Sequence, residues 1–422
     1  MKGARRLAYD VLHDVGSKDA YANLALAQAL RGSELSAADR GLATDLVYTT
    51  LRRRATVDAV LQVFASRPLS KTDPRVLDVL RMATVEHMYL HKPAHAVVDN
   101  AVKLTGSVGA MGAKGFVNAI LRKVTARDSE ELMAAATKGL TGDDDLVVRY
   151  SHPGWIIRSL RDVLGAAELP ALLARDNEPP RVTLAARWTD DLPGEPTPWS
   201  PWGRYVHGDP GAIAAVRDGR AGVQDLGSQL MVLALSRAEA PDGPWLDMCA
   251  GPGGKAALLA GLAPQGLVCV EQHEHRARLV EQAVRGHAQV VVGDATQVEG
   301  DFTRIMLDAP CAGLGVLRRR PEVRWRRQPS DIPDLTALQA QLLEHALDVC
   351  VAGGVVAYVT CSPHLAETDL IVQRALRRDD VVQEDAPALL PEVPDCADGL
   401  AIRLWPHRHD TDGMYFALLR KV

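Results

Sequence analysis

The pattern that most restricts the fold of this chain lies in residues 216–422, where short apolar segments alternate with helical ones. The predicted strands are PWLDM, GLVCV, AQVVV, TRIML and GGVVAYVT. The segments between them, such as KAALLAGLA, EHRARLVEQAV and LTALQAQLLEHALDVC, are predicted helices. Continuous apolar strands separated by helices are typical of a parallel sheet buried between two layers of helices. We therefore predict a Rossmann-like α/β domain over 216–422.

Residues 1–130 carry a different pattern, because they show helical periodicity and no convincing strand. In TDPRVLDVLRMATVEHMYLHKP, Asp73 is a predicted N-cap and Pro74 the first helical residue. An apolar stripe at helical spacing follows, formed by Val76, Val79, Leu80 and Ala83. We predict an all-helical bundle here, and a small α+β linking domain over 131–215. That second region contains the helical HPGWIIRSLRDVLG, the strand-like PRVTLAARW and a stretch rich in Pro and Gly.

The charge is divided unevenly between these regions. The whole chain has a net charge of −5, but residues 1–128 carry +7 and the remainder −12. The overall negative charge argues weakly against a nucleic-acid binder, but the asymmetry suggests a basic module attached to an acidic one, although a solvated helical surface explains it equally well. We expect no membrane span and no secretory signal. Six cysteines without a C-x-x-C pair argue against a disulfide scaffold and a zinc site, and favour the reducing cytoplasm.

A glycine-rich loop follows the first predicted strand. The segment DMCAGPGGKAALLA leads from that strand into a helix that begins near Lys255. Glycines allow a tight turn and a close approach of the backbone to a ligand, so this is a candidate nucleotide or cofactor loop. It matches neither the P-loop nor G-x-G-x-x-G, and alone it could be a structural turn. The candidate cofactor residues are Cys249, Ala250, Gly251, Pro252, Gly253, Gly254 and Lys255.

Acidic residues at the ends of the next strands strengthen the cofactor interpretation. Glu271 ends the second strand, where a carboxylate can accept hydrogen bonds from two ribose hydroxyls. Asp294 follows the third strand, within reach of an adenine, and Asp308 ends the fourth. Each acid alone is more often a solvated strand terminus. Together they predict a ligand that contains adenosine, and they do not distinguish S-adenosylmethionine from NAD.

Two cysteines follow the fourth and fifth strands, in IMLDAPCAGLG and AYVTCSPHLAETD. Cys311 and Cys361 should therefore lie on the cofactor side of the sheet. Their proximity could be a coincidence, or the pair could form a disulfide, a metal site or a reaction centre. Cys249, Cys269 and Cys350 lie in apolar surroundings typical of small core residues.

In their order and spacing, LDMCAGPGGK, DAPCAGLGVLRRRPEVRW and VTCSPHLAETD resemble the motifs of the RNA 5-methylcytosine methyltransferases. The basic N-terminal region, ending GFVNAILRKV, looks like the NusB-like domain of the RsmB (Sun/Fmu) branch of that family. HPGW, RDNEPPRVTL and VQDLGSQL are similar to that branch's linking segments. Two departures are Gly251, where the family usually has Ala, and AGLG, where it often has Ser-Gly-Thr-Gly.

The resemblance implies S-adenosylmethionine as cofactor and cytosine C5 as the methylated atom. It implies that the partner is 16S rRNA or an assembling small ribosomal subunit, and that the protein is cytoplasmic. We expect the protein to be a monomer. Cys361 would be the nucleophile, Cys311 would assist proton loss or departure of Cys361, and Asp308 would hold the cytosine. Cys311 is the rival nucleophile, because DNA cytosine methyltransferases use the Pro-Cys cysteine.

The segment LRRRPEVRWRR has six arginines in eleven residues. It could be a solvated charged loop, but next to a cytosine pocket it suggests phosphate contacts, with Trp325 either stacking on a base or packing against the protein. The predicted RNA-binding residues are Arg318, Arg319, Arg320, Arg324 and Trp325.

Three other functions are compatible with parts of the sequence. The same chemistry could act on tRNA or another rRNA. A non-catalytic NusB-like antitermination or assembly factor is possible, although the intact cysteines and cofactor motif argue against it. An amino-group methyltransferase would usually carry Pro-Pro and an aromatic residue where this chain has DAPC.

Overall fold

The structure is a computed structural model that describes residues 3–18 and 20–422. The chain divides into two compact units. The first contains the residues up to Glu178 together with Leu317–Arg326, and the second contains Pro179–Val316 and Arg327–Val422. Among the described residues, no helix is both long and apolar enough to cross a bilayer.

The described residues of the first unit form helices, as predicted for 1–130. In chain order they are α1 (Ala4–Ser17), α2 (Ala22–Arg31), α3 (Ala37–Arg52), α4 (Arg54–Phe64), α5 (Pro74–Met88), α6 (Ala94–Ser107), α7 (Lys114–Val124), α8 (Ser129–Ala136), α9 (Gly142–Tyr150), α10 (Gly154–Leu164) and α11 (Leu169–Arg175). The predicted start of α5 is confirmed: Asp73 accepts a hydrogen bond from the backbone N–H of Arg75, and Pro74 is the first helical residue. The predicted stripe on α5 is buried in the core of this unit.

The second unit begins with a small antiparallel sheet. Its strands are β1 (Val182–Ala186), β2 (Glu195–Pro196), β3 (Gly203–Val206) and β4 (Ala221–Val223), in the order β2-β3-β1-β4. The predicted domain over 131–215 is therefore divided in the structure. Residues 131–178 belong to the helical unit, where Thr56 donates to the carbonyl of Val148 and the backbone N–H of Ala55 donates to Ser151. The composition of a segment cannot reveal which distant core it will join, so the sequence suggested a separate domain.

The larger sheet confirms the predicted Rossmann-like architecture. Its strands are β5 (Trp245–Asp247), β6 (Leu267–Glu271), β7 (Gln289–Val292), β8 (Phe302–Asp308), β9 (Cys350–Thr360), β10 (Val381–Gln383), β11 (Ala397–Asp398), β12 (Ala401–Leu404) and β13 (Met414–Lys421). The order is β11-β12-β13-β9-β8-β5-β6-β7, with β10 paired to β13. Strands β5 to β9 are parallel, as predicted, whereas β10 to β13 add antiparallel pairings that the sequence analysis did not assign.

Helices cover both faces of this sheet. The helices of the unit are α12 (Ala214–Arg217), α13 (Leu226–Arg237), α14 (Gly254–Ala260), α15 (Glu274–Val284), α17 (Ile332–Asp348), α18 (Asp369–Ala375) and α19 (Pro406–His409). Side chains alternate across the strands, because Met306 packs in one core with α13 to α15 while Ile305 and Leu307 pack in another with α17 and α18. The sheet is therefore buried on both sides.

The arginine-rich segment belongs to the helical unit and includes the short helix α16 (Val323–Arg326). Arg324 is 0% exposed, and its guanidinium donates to the carbonyls of Arg52, Ser151 and Asp176 and to Oδ1 of Asn177, at 2.7–3.1 Å. Burial lowers the pKa of this guanidinium. The prediction that Arg324 contacts RNA phosphates is therefore wrong for this structure, since every direction around its head group is occupied by protein.

Two other residues of this segment also require correction. Arg318 is buried, and its carbonyl accepts from Nη2 of Arg52 at 2.8 Å. Of the two alternatives for Trp325, the structure shows packing, because its indole N–H donates to the carbonyl of Leu51 and Arg54 lies over its ring. Arg319 is half-buried and Arg320 is exposed, so the expected RNA contact remains a prediction for these two.

We predict that Arg324→Met destabilises the protein by about 2–4 kcal/mol, because it removes the donors of several buried acceptors while keeping a similar volume. The matched control is Arg320→Met, an exposed change in the same segment, expected to stay within about 0.5 kcal/mol of wild type. Urea unfolding of the full-length chain, followed by circular dichroism, measures both. Equal stabilities for the two variants would contradict a structural role for Arg324.

Candidate active site

The candidate site lies where the parallel strands end. Asp247 ends β5 opposite Met306, and Asp308 ends β8 opposite Val359. Glu271 ends β6 in the same orientation. The carboxyl ends of parallel strands in an open α/β sheet form the usual ligand crevice. The loops that follow these strands carry the predicted site residues.

The predicted cofactor loop connects β5 to α14, which begins at Gly254. Gly253 has a φ of 101°, in the left-handed region that glycine adopts readily. A methyl group on Gly253 would lie 2.7 Å from Cβ of Ala283, so close packing against α15 also requires a glycine. The loop therefore has the tight, side-chain-poor backbone expected of a cofactor cradle.

Glu271 lies directly beside this loop and is 4% exposed. Its Oε1 accepts from the backbone N–H of His273 at 3.0 Å, and its Oε2 lies 3.4 Å from Nη1 of Arg276. Nη2 of Arg276 donates to the carbonyl of Gly251 at 2.6 Å. Arg276 thus joins the ribose-binding candidate to the loop. Sequence reasoning missed it, although its position in the first turns of the helix after Glu271 was a usable signal.

Gly251 has a more specific role than the sequence suggested. A methyl group at this position would lie 2.1 Å from Oε2 of Glu271 and 3.0 Å from Nε of Arg276. The absence of a side chain therefore makes room for the Glu271 carboxylate. The sequence pattern marked Gly251 only as a departure from the family's Ala and did not reveal this contact.

Lys255 and Asp308 form an ion pair at the centre of the site, with 2.7 Å between Nζ and Oδ2. Burial by itself would lower the pKa of Lys255, but the Asp308 carboxylate and its hydrogen bond leave that pKa raised. Asp247 is completely buried, and burial, followed by repulsion from Asp308, raises the pKa of its carboxyl to about 7. The site therefore holds the Lys255–Asp308 ion pair next to a buried carboxyl whose pKa is raised.

Asp294 lies at the exposed edge of the same group of loops. Its Oδ1 accepts from the backbone N–H and from the hydroxyl of Thr296, both at 2.9 Å, and these bonds lower the pKa of the carboxyl. The structure brings Asp294 to the predicted edge of the sheet. Its contact with an adenine remains a prediction.

The two cysteines predicted to share this side of the sheet meet there, with 3.4 Å between their sulfur atoms. The hydrogen bond with Cys361, followed by burial, raises the pKa of the Cys311 thiol well above its ordinary value. Cys269, Cys350 and Cys396 are buried in the core. All of these cysteines are free thiols, and the described residues contain no group of three His, Cys, Asp or Glu suited to a metal ion.

Family models match both parts of the chain. Residues 231–420 match the model described as 16S rRNA methyltransferase RsmB/F, and residues 2–126 match the NusB family. A Mycobacterium tuberculosis protein named as a methyltransferase is 44% identical over 443 residues, covering 99% of this chain and 96% of the relative. The ribosomal RNA small subunit methyltransferase B of Serratia proteamaculans is 31% identical, covering 92% of each chain.

Solved structures support the same fold. The crystal structure of PH0851 superposes with a TM-score of 0.80 at 21% identity, covering 100% of this chain and 98% of its own. NSun6 from Pyrococcus horikoshii, solved with SFG, has a TM-score of 0.57 at 18% identity and covers 64% of this chain and 98% of its own.

Fold, site and matches together define an S-adenosylmethionine-dependent methyltransferase with a Rossmann-like domain. The N-terminal helical bundle is a NusB domain. The chain belongs to the RsmB/F family. This membership resolves the choice between S-adenosylmethionine and NAD that the loop and acids alone had left open.

We predict that Gly251→Ala weakens S-adenosylmethionine binding by about 1 kcal/mol, because the added methyl group displaces the Glu271 carboxylate, the end of a flexible side chain that can shift at small cost. Glu271→Asp shortens that side chain, so the double variant should bind more tightly than Gly251→Ala alone. Isothermal titration calorimetry on the four members of this cycle measures the coupling.

The control for this cycle is Gly261→Ala at the end of α14, where the nearest atom to an added methyl group lies 3.5 Å away. Its affinity should equal that of wild type. If the losses of binding free energy of Gly251→Ala and Glu271→Asp simply add in the double variant, the two residues are not energetically coupled.

Proposed function

We propose that the protein methylates C5 of a cytosine in 16S rRNA through a covalent bond between Cys361 and C6 of the base. The observation that carries this proposal is the 3.4 Å approach of two thiols beside the Lys255–Asp308 ion pair, at the carboxyl edge of the sheet. A structural disulfide or a metal site would not need the charged pair. The names of the ribosomal RNA methyltransferase relatives support the RNA substrate.

A thiol is required because C5 of cytosine is a poor nucleophile. Addition of a thiolate to C6 gives the ring enamine character and makes C5 able to attack a methyl donor. S-adenosylmethionine supplies the methyl group when it is bound. Loss of the C5 proton then re-forms the C5–C6 double bond and expels the cysteine. The reaction thus returns the free thiol and leaves 5-methylcytosine.

Cys361 is the better candidate for the attacking sulfur. Thr360 and Cys361 resemble the Thr-Cys motif that supplies the nucleophile in the RNA 5-methylcytosine methyltransferases. The hydrogen bond with Cys361, followed by burial, raises the pKa of the Cys311 thiol. A protonated Cys311 can donate its S–H to Cys361 across the 3.4 Å contact. Cys311 would later assist removal of the C5 proton or departure of Cys361.

Asp308 and Lys255 have complementary roles in this proposal. Oδ2 of Asp308 accepts from Lys255, which orients the carboxylate for contacts with N3 and the amino group of cytosine. Such contacts favour protonation of the base as negative charge develops in the ring. The loop over 249–255, with Glu271, Asp294 and Asp308, would hold the cofactor.

RNA recognition in this proposal rests on the basic N-terminal region and on Arg319 and Arg320. Residues 1–128 carry a net charge of +7, which favours the phosphate backbone. A cytosine within a helix cannot reach a thiol at the end of a strand, so the target base must be unpaired or flipped out.

The two cysteines should give different phenotypes when substituted. We predict that Cys361→Ala abolishes methylation and forms no covalent RNA adduct. Cys311→Ala should still attack cytosine but release product slowly, so a denaturant-resistant protein–RNA complex should accumulate. Denaturing gels after incubation with S-adenosylmethionine and 16S rRNA separate these outcomes.

The matched control is Cys350→Ala. Cys350 is buried at the start of β9, the strand that Cys361 follows, and its replacement should leave methylation unchanged. An adduct that forms with Cys361→Ala and not with Cys311→Ala would reverse the two roles. Full methylation by both variants would remove the cysteines from the mechanism.

The RNA target has its own test. In a strain that lacks the gene, bisulfite sequencing of total RNA should show the loss of 5-methylcytosine in 16S rRNA, and re-expression of wild type but not of Cys361→Ala should restore it. Loss confined to tRNA or 23S rRNA would support the same chemistry on another substrate. Unchanged methylation in all RNAs would favour the non-catalytic alternative.

A further inference from the structure

Glu367 connects the two cysteine loops from a fully buried position. It ends a short turn, Leu365–Glu367, that follows Cys361, and it is 0% exposed. Its Oε1 accepts from the backbone N–H of Ala312 at 2.7 Å, and its Oε2 accepts from the hydroxyl of Ser362 at 2.6 Å. Ala312 follows Cys311 in the chain, and Ser362 follows Cys361. One carboxylate therefore holds the immediate neighbours of both sulfur-bearing residues.

The Glu367 carboxylate is itself fixed by the helix and strand behind it. Nε2 of Gln339, on α17, donates to Oε1 of Glu367 at 3.1 Å and to the carbonyl of Pro310 at 2.8 Å. The hydroxyl of Tyr358, on β9, donates to the backbone carbonyl of Glu367 at 2.7 Å. Both chain neighbours of Cys311 are thus tied to this buried network. A buried carboxylate with several donors is held in one geometry, because moving it would leave polar groups unpaired.

The two cysteines depend on this network to different degrees. Cys361 directly follows Thr360, the last residue of β9, which is paired with Tyr415 of β13. Cys311 lies three residues beyond the end of β8, in a loop without strand pairing. Loss of the Glu367 carboxylate should therefore displace Cys311 more than Cys361.

We propose that Glu367 is a positioning residue that sets the distance between the sulfurs of Cys311 and Cys361 and thereby the rate of product release. The role in product release rests on the function proposed above, whereas the role in positioning rests on the contacts alone. Glu367 acts through Ala312 and Ser362, and it takes no part in bond making.

The geometric part can be tested without RNA or cofactor. Diamide oxidises two neighbouring thiols to a disulfide, taking up their two electrons and two protons, and the sulfur atoms must approach to about 2.05 Å. Wild type should form the Cys311–Cys361 disulfide rapidly, as measured by mass spectrometry of peptides. Glu367→Ala should slow this step about tenfold, because the loss of one buried hydrogen bond raises the barrier by an amount that corresponds to about a tenfold change in rate. Glu367→Gln should stay near wild type, because its amide oxygen can accept from Ala312 and its NH₂ can donate to Ser362.

Two further variants complete the design. Asp369→Ala removes a nearby acid that pairs with Arg403 and does not touch the Cys311 loop, so it should oxidise at the wild-type rate. Gln339→Met removes the second link at similar volume and should give an intermediate rate, which keeps the test available if Glu367→Ala does not fold. Melting temperature and S-adenosylmethionine affinity report the folding of each variant.

The catalytic part uses the ratio of covalent adduct to methylated product. Glu367→Ala should raise this ratio as Cys311→Ala does, whereas general damage would lower adduct and product together. Unchanged rates of disulfide formation in Glu367→Ala and Gln339→Met would overturn the proposal. If wild type formed neither adduct nor product with any RNA, the proposed function would fail, but the disulfide rates would still decide the positioning role.

Discussion

The parallel pairing of β8 with β9 is the constraint on which the candidate chemistry depends. Their register places Asp308 opposite Val359, so the two strands end at the same edge of the sheet. Cys311 and Cys361 are 50 residues apart in sequence, yet their sulfur atoms lie 3.4 Å apart. Antiparallel strands would send the two cysteines to opposite ends of the sheet. The glycine-rich loop shares this edge because β5 pairs with β8 in the same direction.

Bringing strand ends together also concentrates negative charge, and the structure deals with each acid differently. Asp308 is neutralised by Lys255, and Glu271 is held by Arg276 and by the backbone N–H of His273. Asp247 is completely buried, and burial raises the pKa of its carboxyl to about 7. A buried charge without a partner is costly, so these separate arrangements allow one crevice to contain several carboxyl groups.

Much of the architecture was predictable because it depends on local patterns. The five central strands follow apolar runs of strand length, and α5 follows an N-cap and an apolar stripe. The strands β10 to β13 were missed, although the apolar run of β13 at Met414–Leu419 gave a signal. The NusB-like domain was predicted over 1–130, and the NusB family model matches residues 2–126. The compact helical unit extends further, to Glu178, because α8 and α9 pack against α4, and these helices contain no local mark of the core they join.

The sequence by itself determined the class of fold and the chemical types of the site residues, since strand periodicity, glycine turns and motif order are local properties of the chain. It did not determine the surroundings of each side chain. The arginine-rich segment around Arg324 is typical of a phosphate-binding site, yet the tertiary structure buries Arg324 among backbone carbonyls from segments distant in sequence. The joining of two loops by Glu367 and the space that Gly251 leaves for Glu271 were likewise decided only on folding. Burial and hydrogen-bond partners are set by residues far apart in sequence, and no local pattern records which of these will meet.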